Sequence, residues 1–342
     1  MKNIYQKINS GLTTLIAEAG VNHNGSLKIG KRLIDAAKRA GADCIKFQTY
    51  KAEKLTTRAA KRFWSWEGER KKNGTQYDSY SSLDKFNFKH YKYLFDYCKK
   101  KKIEFQSTPF DIDSLKILEK LGVSTYKIAS CDITNFLLLE KIAKTKKPIF
   151  LSTGAANINE IKDAVKLISK YNKKIVIMHC ILCYPTKMVD ANLKSITLLK
   201  KKFPGVPIGF SDHTLGTLAP TIAASLGASV IEKHFTIDKT LKKSADHWLS
   251  VNEKELSQIS TNIKNVSLSL GKEIKKTFNC ENITKKNARR SLVANENIQK
   301  GQKFDTKNLT AKRPGTGISA NQYFKYLGTK AKKNFNYDDL IK

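Results

Sequence analysis

Short apolar runs alternate with stretches of helical periodicity along most of the chain. The runs are almost continuously apolar and rich in β-branched residues, which is typical of strands buried on both faces of a parallel sheet. Eight such strands are predicted, at residues 14–20, 44–49, 104–110, 125–130, 148–153, 175–180, 207–212 and 230–236. Apolar residues at three- and four-residue spacing predict helices between them, at residues 27–40, 113–121, 158–170, 215–226 and 252–270.

Eight β/α units in succession predict a (β/α)8 TIM barrel, an α/β fold of about 250 residues, over residues 1–270. A doubly wound open sheet is the alternative, because the number of strands alone does not distinguish the two folds. The polar, Lys-rich residues 271–287 predict a linker, and residues 288–342 predict a small separate domain.

A long polar insertion, residues 51–84, follows the second predicted strand. Insertions of this length often act as lids or partner contacts. It carries Trp64 and Trp66, which we interpret as aromatic packing of the insertion rather than as the cover of a pocket.

The charge of the chain is strongly positive, with 63 Lys and Arg against 30 Asp and Glu among 342 residues, a net charge of +33. The lysines are scattered rather than clustered with aromatic residues, which indicates solvated helix faces and no nucleic-acid partner. No apolar run is long enough to span a bilayer and no signal peptide is visible, so we expect a cytoplasmic protein without a membrane partner. The six cysteines are expected to be reduced, and Cys180 with Cys183 in CILC lacks the second pair that a zinc site needs.

Polar residues stand at the end of every predicted strand, where the active site of a barrel enzyme lies. Eight polar strand ends that converge on one face are a strong indication of an active site. These residues are Glu18, Asn22, His23, Asn24, Lys46, Gln48, Ser107, Thr108, Lys127, Ser130, Asp132, Ser152, Thr153, Tyr184, Ser211, Asp212, His213, Glu232 and His234.

Two lysines lie inside predicted strands, Lys46 in CIKFQT and Lys127 in YKIAS. An ammonium group buried there must have a counter-charge, because an unpaired one would be costly. Hydroxyl groups at neighbouring strand ends favour a phosphate or carboxylate substrate as that counter-charge for at least one lysine. The alternative is pairing with a carboxylate of the barrel, such as Glu18.

Two histidines close adjacent predicted strands, His213 in SDHT and His234 in EKHF. For either residue alone, a hydrogen-bonded core histidine would be the better interpretation. Together they predict a divalent metal site, with water or substrate oxygens as the remaining ligands. Open positions of this kind suit a metal that acts as a Lewis acid.

These motifs closely resemble the sialic acid synthase (N-acetylneuraminate synthase) family over nearly the whole chain. The similar segments are AEAGVNHNG, IKFQT, STPFD, YKIAS, LSTGA, YPT, GFSDHT and EKHFT. Residues 288–342, with SLVAN, IQKGQ and KRPGTGI, resemble the antifreeze-like (SAF) domain that follows the barrel in that family.

The resemblance implies a metal-dependent condensation of phosphoenolpyruvate with an N-acylated mannosamine-type sugar, which yields a nine-carbon 2-keto acid and phosphate. It also implies a role for each matching residue. Phosphoenolpyruvate would be held by Lys46, Thr108, Lys127, Ser130, Ser152, Tyr184 and Ser211. Mn2+, or alternatively Mg2+ or Co2+, would be bound by His213 and His234. Water and sugar hydroxyls would be handled by Glu18 and Asp132, and the sugar site would be lined by Gln48 and Asp246.

The family also forms domain-swapped homodimers, in which the SAF domain covers the partner's barrel. The resemblance implies that Arg313, in KRPGTG, reaches the N-acyl group of the sugar bound by the partner. Two positions depart from the family pattern. Leu182 stands where a polar residue often binds the substrate carboxylate, and Ser130-Cys131-Asp132 replaces a common Ser-Gly-Glu.

The acceptor sugar stays open at this point. N-acetylmannosamine, giving N-acetylneuraminate, is the default, and 2,4-diacetamido-2,4,6-trideoxymannose, giving legionaminate, is the nearest alternative. GVNHNG is less like the motif of pseudaminic acid synthases. A non-catalytic polyanion-binding barrel and a phosphoenolpyruvate aldol enzyme acting on a sugar phosphate are more distant alternatives.

Overall fold

The structure, a computed structural model, describes residues 2–65 and 74–342, so Trp66 lies outside the described residues. The chain divides into two compact units, Met1–Gly271 and Lys272–Lys342. The residues predicted to form a linker belong to the second unit and include a short helix.

The first unit is a closed barrel of eight parallel strands in sequence order, in which β8 pairs with β1. Closure confirms the predicted TIM barrel and shows that the open-sheet alternative is wrong. The strands are β1 Thr14–Gly20, β2 Cys44–Thr49, β3 Glu104–Pro109, β4 Tyr126–Ile128, β5 Ile149–Ser152, β6 Ile175–Cys180, β7 Ile208–Asp212 and β8 Val230–His234.

Helices follow the strands and bury apolar faces against the outside of the barrel. Several begin at Asn, Asp or Ser residues whose side chains accept a hydrogen bond from a backbone N–H of the first turn. The helices of this unit are α1 Ile4–Asn9, α2 Leu27–Arg39, α3 Ala52–Leu55, α4 Gln76–Leu83, α5 Phe88–Lys101, α6 Ile112–Leu121, α7 Phe136–Lys144, α8 Ile158–Ser169, α9 Lys194–Lys202, α10 Leu218–Ser225 and α11 Glu253–Leu270.

The interior of the barrel changes from apolar to polar along the strands. Side chains of α1 pack against apolar residues near the beginning of the strands. Polar residues follow on the same face, two or four positions further along the strands. The apolar cluster contains Ile4, Ile8, Ile16, Cys44, Phe150, Val176, Met178 and Val230. Gly209 makes room for it, because a Cβ there would collide with a methyl group of Val230. The strands therefore present their polar groups at one end.

Helix α1 is held against the barrel by two carboxylates. Partly buried Glu104 accepts hydrogen bonds from the Ile4 backbone N–H (2.6 Å) and from the hydroxyl of Ser124 (2.6 Å). Lys7 lies 2.6 Å from Asp43, whose second oxygen accepts from the Leu15 backbone N–H. These contacts lie at the end opposite the polar strand ends.

The loops after β1 and β8 are tied together by hydrogen bonds. The amide nitrogen of Asn22 donates to the Phe235 carbonyl (3.0 Å) and the Ser250 hydroxyl (3.2 Å). Two residues further along the same loop, Asn24 Oδ1 lies 3.0 Å from Nε2 of His247. Ser250 in turn donates to the backbone carbonyl of Asp246. These bonds position the segment that carries Asp246 beside the end of β1.

The second unit contains a two-stranded antiparallel sheet, β9 Ser291–Ala294 and β10 Leu309–Lys312. Two short helices accompany the sheet, α12 Asn282–Ala288 and α13 Tyr323–Tyr326. Its core is Leu292, Ala294, Ile298, Phe304, Leu309, Ala331, Phe335 and Ile341. Within the described parts of the chain, no helix has the length and apolar character needed to cross a membrane.

Histidine 23 predicts a pH-dependent loss of stability. Its ring is buried against Phe86, with 4.0 Å between ring centroids, and Nδ1 accepts a hydrogen bond from the Gly25 backbone. Burial, with Lys243 and His90 adding repulsion, lowers the pKa of His23 from 6.5 to about 3. Between those pH values the unfolded chain binds the proton and the folded chain does not, so stability is complete above pH 6.5 and falls below it.

At pH 5 the loss should amount to about 2 kcal/mol. His23→Gln keeps an acceptor for Gly25 but cannot bind the proton. Between pH 7 and pH 5 we therefore expect its unfolding free energy to fall by about 2 kcal/mol less than that of the wild type. Urea unfolding at both pH values measures it. The same fall in the variant and in the wild type would contradict the assignment.

Candidate active site

Four charged side chains meet inside the polar end of the barrel, and each is at most 4% exposed. Lys46 Nζ lies 2.6 Å from Glu18 Oε2, and Lys127 Nζ lies 2.9 Å from Glu232 Oε1. Glu232 Oε1 is also 3.6 Å from Lys46 Nζ, so it is shared by both ammonium groups. The strand register brings the cluster together, since Glu18 is level with Lys46 on one neighbouring strand and His234 on the other.

The two carboxylates of this cluster have opposite properties. Burial alone would raise the pKa of Glu232, but Lys127 and Lys46 outweigh burial and lower its pKa to about 2. For Glu18, burial outweighs the attraction of Lys46 and raises the pKa. Glu232 is therefore a fixed negative charge, whereas Glu18 is suited to exchange a proton.

Hydroxyl groups and one amide surround the charges. Thr108 Oγ1 accepts from Lys46 (3.3 Å), Ser211 donates to Glu232 Oε1 (3.1 Å), and Gln48 donates to Glu18 Oε1 (3.3 Å). The hydroxyl of Ser152 is buried without a hydrogen-bond partner. A buried hydroxyl in that state is available to a ligand, because leaving it unpaired is costly.

The loops after β4, β5 and β6 pack closely beside this cluster. Ser130 accepts a hydrogen bond from the Gly154 backbone N–H (2.9 Å). A Cβ at Gly154 would come within 2.8 Å of Ser130 Oγ and 3.0 Å of the Leu182 backbone nitrogen, so only glycine fits between them. The Leu182 side chain is 40% exposed. The neighbourhood of Ser130 thus includes an accessible apolar group where the family pattern predicted a polar one.

The two predicted metal ligands are adjacent, with 5.3 Å between the ring centroids of His213 and His234. Nδ1 of His213 is 2.7 Å from the Ile181 carbonyl, which leaves Nε2 as its free nitrogen. Nδ1 of His234 is buried without a hydrogen-bond partner and lies 3.7 Å from Asp246 Oδ2. Burial and the proximity of His213 lower the pKa of His234 well below 6.5, so its ring is neutral.

These residues fit a divalent metal ion held by two imidazoles. Neutral histidine is a common ligand of transition metals, and the unpaired nitrogen of His234 would gain a partner. In residues 2–65 and 74–342, no group of three or more His, Cys, Asp or Glu is arranged to hold a metal ion. The protein would therefore leave further positions to water or substrate.

Three other predicted residues lie in the loops that follow the strands: Tyr184 and Asp246 are beside the two histidines, and the contacts of Asp132 are with its own turn. The ring of Tyr184 lies 4.0 Å from that of His213 and is 46% exposed. Asp246 stands beside His234, and burial raises its pKa to about 6 although His213 and Lys46 oppose the shift. Asp132 lies in the turn after β4, where burial raises its pKa and its side chain contacts Asn135 and Cys131.

Arg313 is exposed in the second unit, at the end of β10. In the insertion, Trp64 packs against Tyr80, with 5.7 Å between the ring centroids. This contact agrees with the interpretation of Trp64 as aromatic packing of the insertion.

Glu232 has a central position, but the sequence identified it only as one of the polar strand ends and assigned it no specific role. A usable signal existed, because Glu232 and His234 are two residues apart on one strand and therefore share a face. The structure also shows that carboxylates of the barrel pair with both Lys46 and Lys127, the alternative considered for the two lysines.

Comparison with known proteins identifies the family. The NeuB family model matches residues 33–275, and the SAF domain model matches residues 289–342. The N,N'-diacetyllegionaminic acid synthase of Campylobacter jejuni is 41% identical over 96% of this chain and 99% of its own length. The N-acetylneuraminate-9-phosphate synthase of Mus musculus is 32% identical over 96% and 90%, respectively.

A solved structure agrees. The N-acetylneuraminic acid (sialic acid) synthetase of Leptospira borgpetersenii, in complex with citrate, has a TM-score of 0.70 and 37% identity, over 80% of this chain and 90% of that chain. The chain therefore belongs to the NeuB family of sugar-acid synthases and ends in a SAF domain, as its motifs predicted.

Proposed function

We propose that this protein condenses phosphoenolpyruvate with an N-acylated mannosamine-type sugar to give a nine-carbon 2-keto acid and phosphate. The observation that carries the proposal is the buried cluster of Glu18, Lys46, Lys127 and Glu232 beside two neighbouring histidines. Family membership supports the same class of reaction.

Phosphoenolpyruvate would bind among the lysines and hydroxyl groups of the cluster. Lys46 and Lys127 supply fixed positive charge for its phosphate and carboxylate, and the unpaired hydroxyl of Ser152 supplies a free hydrogen-bond donor. Before binding, the two lysines are balanced by two glutamates.

His213 and His234 would hold the divalent metal ion, with Mn2+ as the proposed ion. When bound, such an ion supplies Lewis acidity toward the carbonyl oxygen of an aldehyde. Tyr184, Gln48 and Asp246 border this part of the site and would orient the open-chain sugar.

The reaction joins the enol carbon of phosphoenolpyruvate to the aldehyde carbon of the sugar. Water then adds to the carbon that bears the phosphate, and phosphate leaves as the ketone forms. Glu18 would take the proton from this water, and Asp132 would hold water or a sugar hydroxyl in place. Burial raises the pKa of both carboxyl groups, which makes each a better proton acceptor than an exposed carboxylate.

Two acceptor sugars have support. Similarity to the N,N'-diacetyllegionaminic acid synthase of C. jejuni supports 2,4-diacetamido-2,4,6-trideoxymannose. The L. borgpetersenii synthetase favours N-acetylmannosamine.

The test is phosphate release from phosphoenolpyruvate with Mn2+, with each acceptor offered separately, with and without EDTA. We expect EDTA-sensitive release with at least one acceptor. Exclusive use of N-acetylmannosamine would identify an N-acetylneuraminate synthase, and preference for the trideoxy sugar a legionaminate synthase. No release with either acceptor would contradict the proposed reaction.

Glu232 should be essential for turnover. We expect Glu232→Gln to lower kcat by about 100-fold, because the two lysines would lose the charge that positions them, and small displacements of binding groups have effects of that size. The KM for phosphoenolpyruvate should fall, since a negative charge has been removed from its site. Glu104→Gln, which alters a partly buried glutamate at the opposite end of the barrel, is the control. Wild-type kcat in Glu232→Gln would exclude this role.

We also propose a domain-swapped homodimer in which Arg313 of one chain serves the barrel of the other. Five large apolar side chains between residues 268 and 283 are exposed, and contact with a second copy would remove them from water. They are Leu268, Leu270, Ile274, Phe278 and Ile283, all between 48% and 82% exposed.

Complementation between two inactive variants tests the swap. His213→Ala should be inactive through its barrel, and Arg313→Ala should use the acceptor poorly. In a mixed dimer, the barrel of the Arg313→Ala chain would receive an intact Arg313. Unfolding and refolding an equal mixture should restore about a quarter of the wild-type sites, since half of the dimers are mixed and each has one complete site. No recovery from a mixture shown to be dimeric would refute the swap.

A further inference from the structure

A second buried ion pair lies next to the two predicted metal ligands but outside the substrate cavity. Asp212 and Lys233 each precede one of the histidines, and the strand register places them opposite one another on β7 and β8. Because side chains alternate along a strand, this pair points away from the interior face that carries Ser211 and Glu232. Both side chains are at most 1% exposed.

The pair is hydrogen-bonded into the turn that contains His213. Lys233 Nζ lies 2.6 Å from Asp212 Oδ2 and also donates to the Thr214 carbonyl. Asp212 Oδ1 accepts from the Thr214 backbone N–H (2.8 Å), and Oδ2 accepts from the Thr214 hydroxyl (3.2 Å). We call Asp212, Thr214 and Lys233 the β7–β8 clip.

The clip joins the ends of two strands at the positions from which the histidines project. The carbonyl of His213 accepts a hydrogen bond from the backbone of Thr186 (2.9 Å), which holds the same turn from its other side. Because Asp212 and Thr214, the neighbours of His213, are both bonded to Lys233, the backbone of His213 is fixed relative to Lys233. It is therefore also fixed relative to His234, the next residue. The separation of the two imidazoles therefore depends on the clip.

Stability alone is a weak reason for this arrangement. Removing two charges from water costs several kcal/mol per ion, and apolar residues of similar size often stabilise a protein as well. The surrounding layer between the barrel and its helices is otherwise largely apolar. A charged pair at this one junction is better explained by the geometry that it imposes.

We propose that Asp212 and Lys233 are positioning residues, which hold His213 and His234 at the spacing required to share one divalent metal ion. This inference rests on the metal site of the proposed function. It assigns a role to two residues that contact neither the substrate cavity nor the metal.

The experiment measures metal binding rather than turnover. The double variant Asp212→Asn, Lys233→Met removes both charges, leaves no buried charge unpaired and preserves an acceptor for Thr214. The matched control is Asp43→Asn, Lys7→Met, which removes a Lys–Asp pair of the same 2.6 Å length at the other end of the barrel. Free Mn2+ is quantified by electron paramagnetic resonance, the visible spectrum of bound Co2+ reports coordination geometry, and circular dichroism verifies folding.

We expect the Kd for Mn2+ to rise 10- to 100-fold in the clip variant, the range typical for residues that orient metal ligands, with a changed Co2+ spectrum. The control should retain wild-type values. If the clip variant does not fold, Thr214→Val, which removes one hydrogen bond and keeps the ion pair, should show a smaller change in the same direction.

Wild-type Mn2+ affinity and Co2+ spectrum in the folded clip variant would overturn the proposal, and so would equal weakening in the control. A wild-type protein that binds no Mn2+ would instead refute the metal site of the proposed function, and the role of the clip with it.

Discussion

The four charges buried at the polar end of the barrel constrain the rest of the site, because none of them is stable there alone. An isolated ion loses its hydration on burial and recovers that energy only from partners at close range. Here Glu232 serves both lysines and Glu18 serves one. Four side chains from four strands must therefore be in register at once, which a closed barrel can maintain and a flexible loop cannot.

The two faces of the barrel wall carry charged groups with different roles. On the inner face, the charges face the cavity, and Glu18, whose pKa is raised by burial, is suited to exchange a proton there. On the outer face, Asp212 and Lys233 are fully enclosed and exchange with nothing. The inner set is suited to chemistry, and the outer pair is suited to fixing distances.

The sequence predicted all eight strands to within two residues at each end, because continuous apolar strands leave strong local signals, but α5, α7 and α9 were not among the predicted helices. Polar strand ends likewise located the site. What the sequence could not provide was the choice among partners: Lys46 and Lys127 each needed a counter-charge, but several carboxylates were available, and only the closed register selects Glu18 and Glu232. Asp212 was identified only as one of the polar strand ends and Lys233 not at all, since the face on which a strand-end residue lies depends on the whole barrel.

Helix α1 and the apolar side chains beneath the charges fill the other end of the barrel. Substrates that react at the charged cluster must then arrive and depart by the same route. Phosphate and the keto acid would leave against the direction in which the next phosphoenolpyruvate and sugar enter. The fold therefore makes products compete with incoming substrates during turnover. Any segment that covers this end of the barrel would control both entry and release.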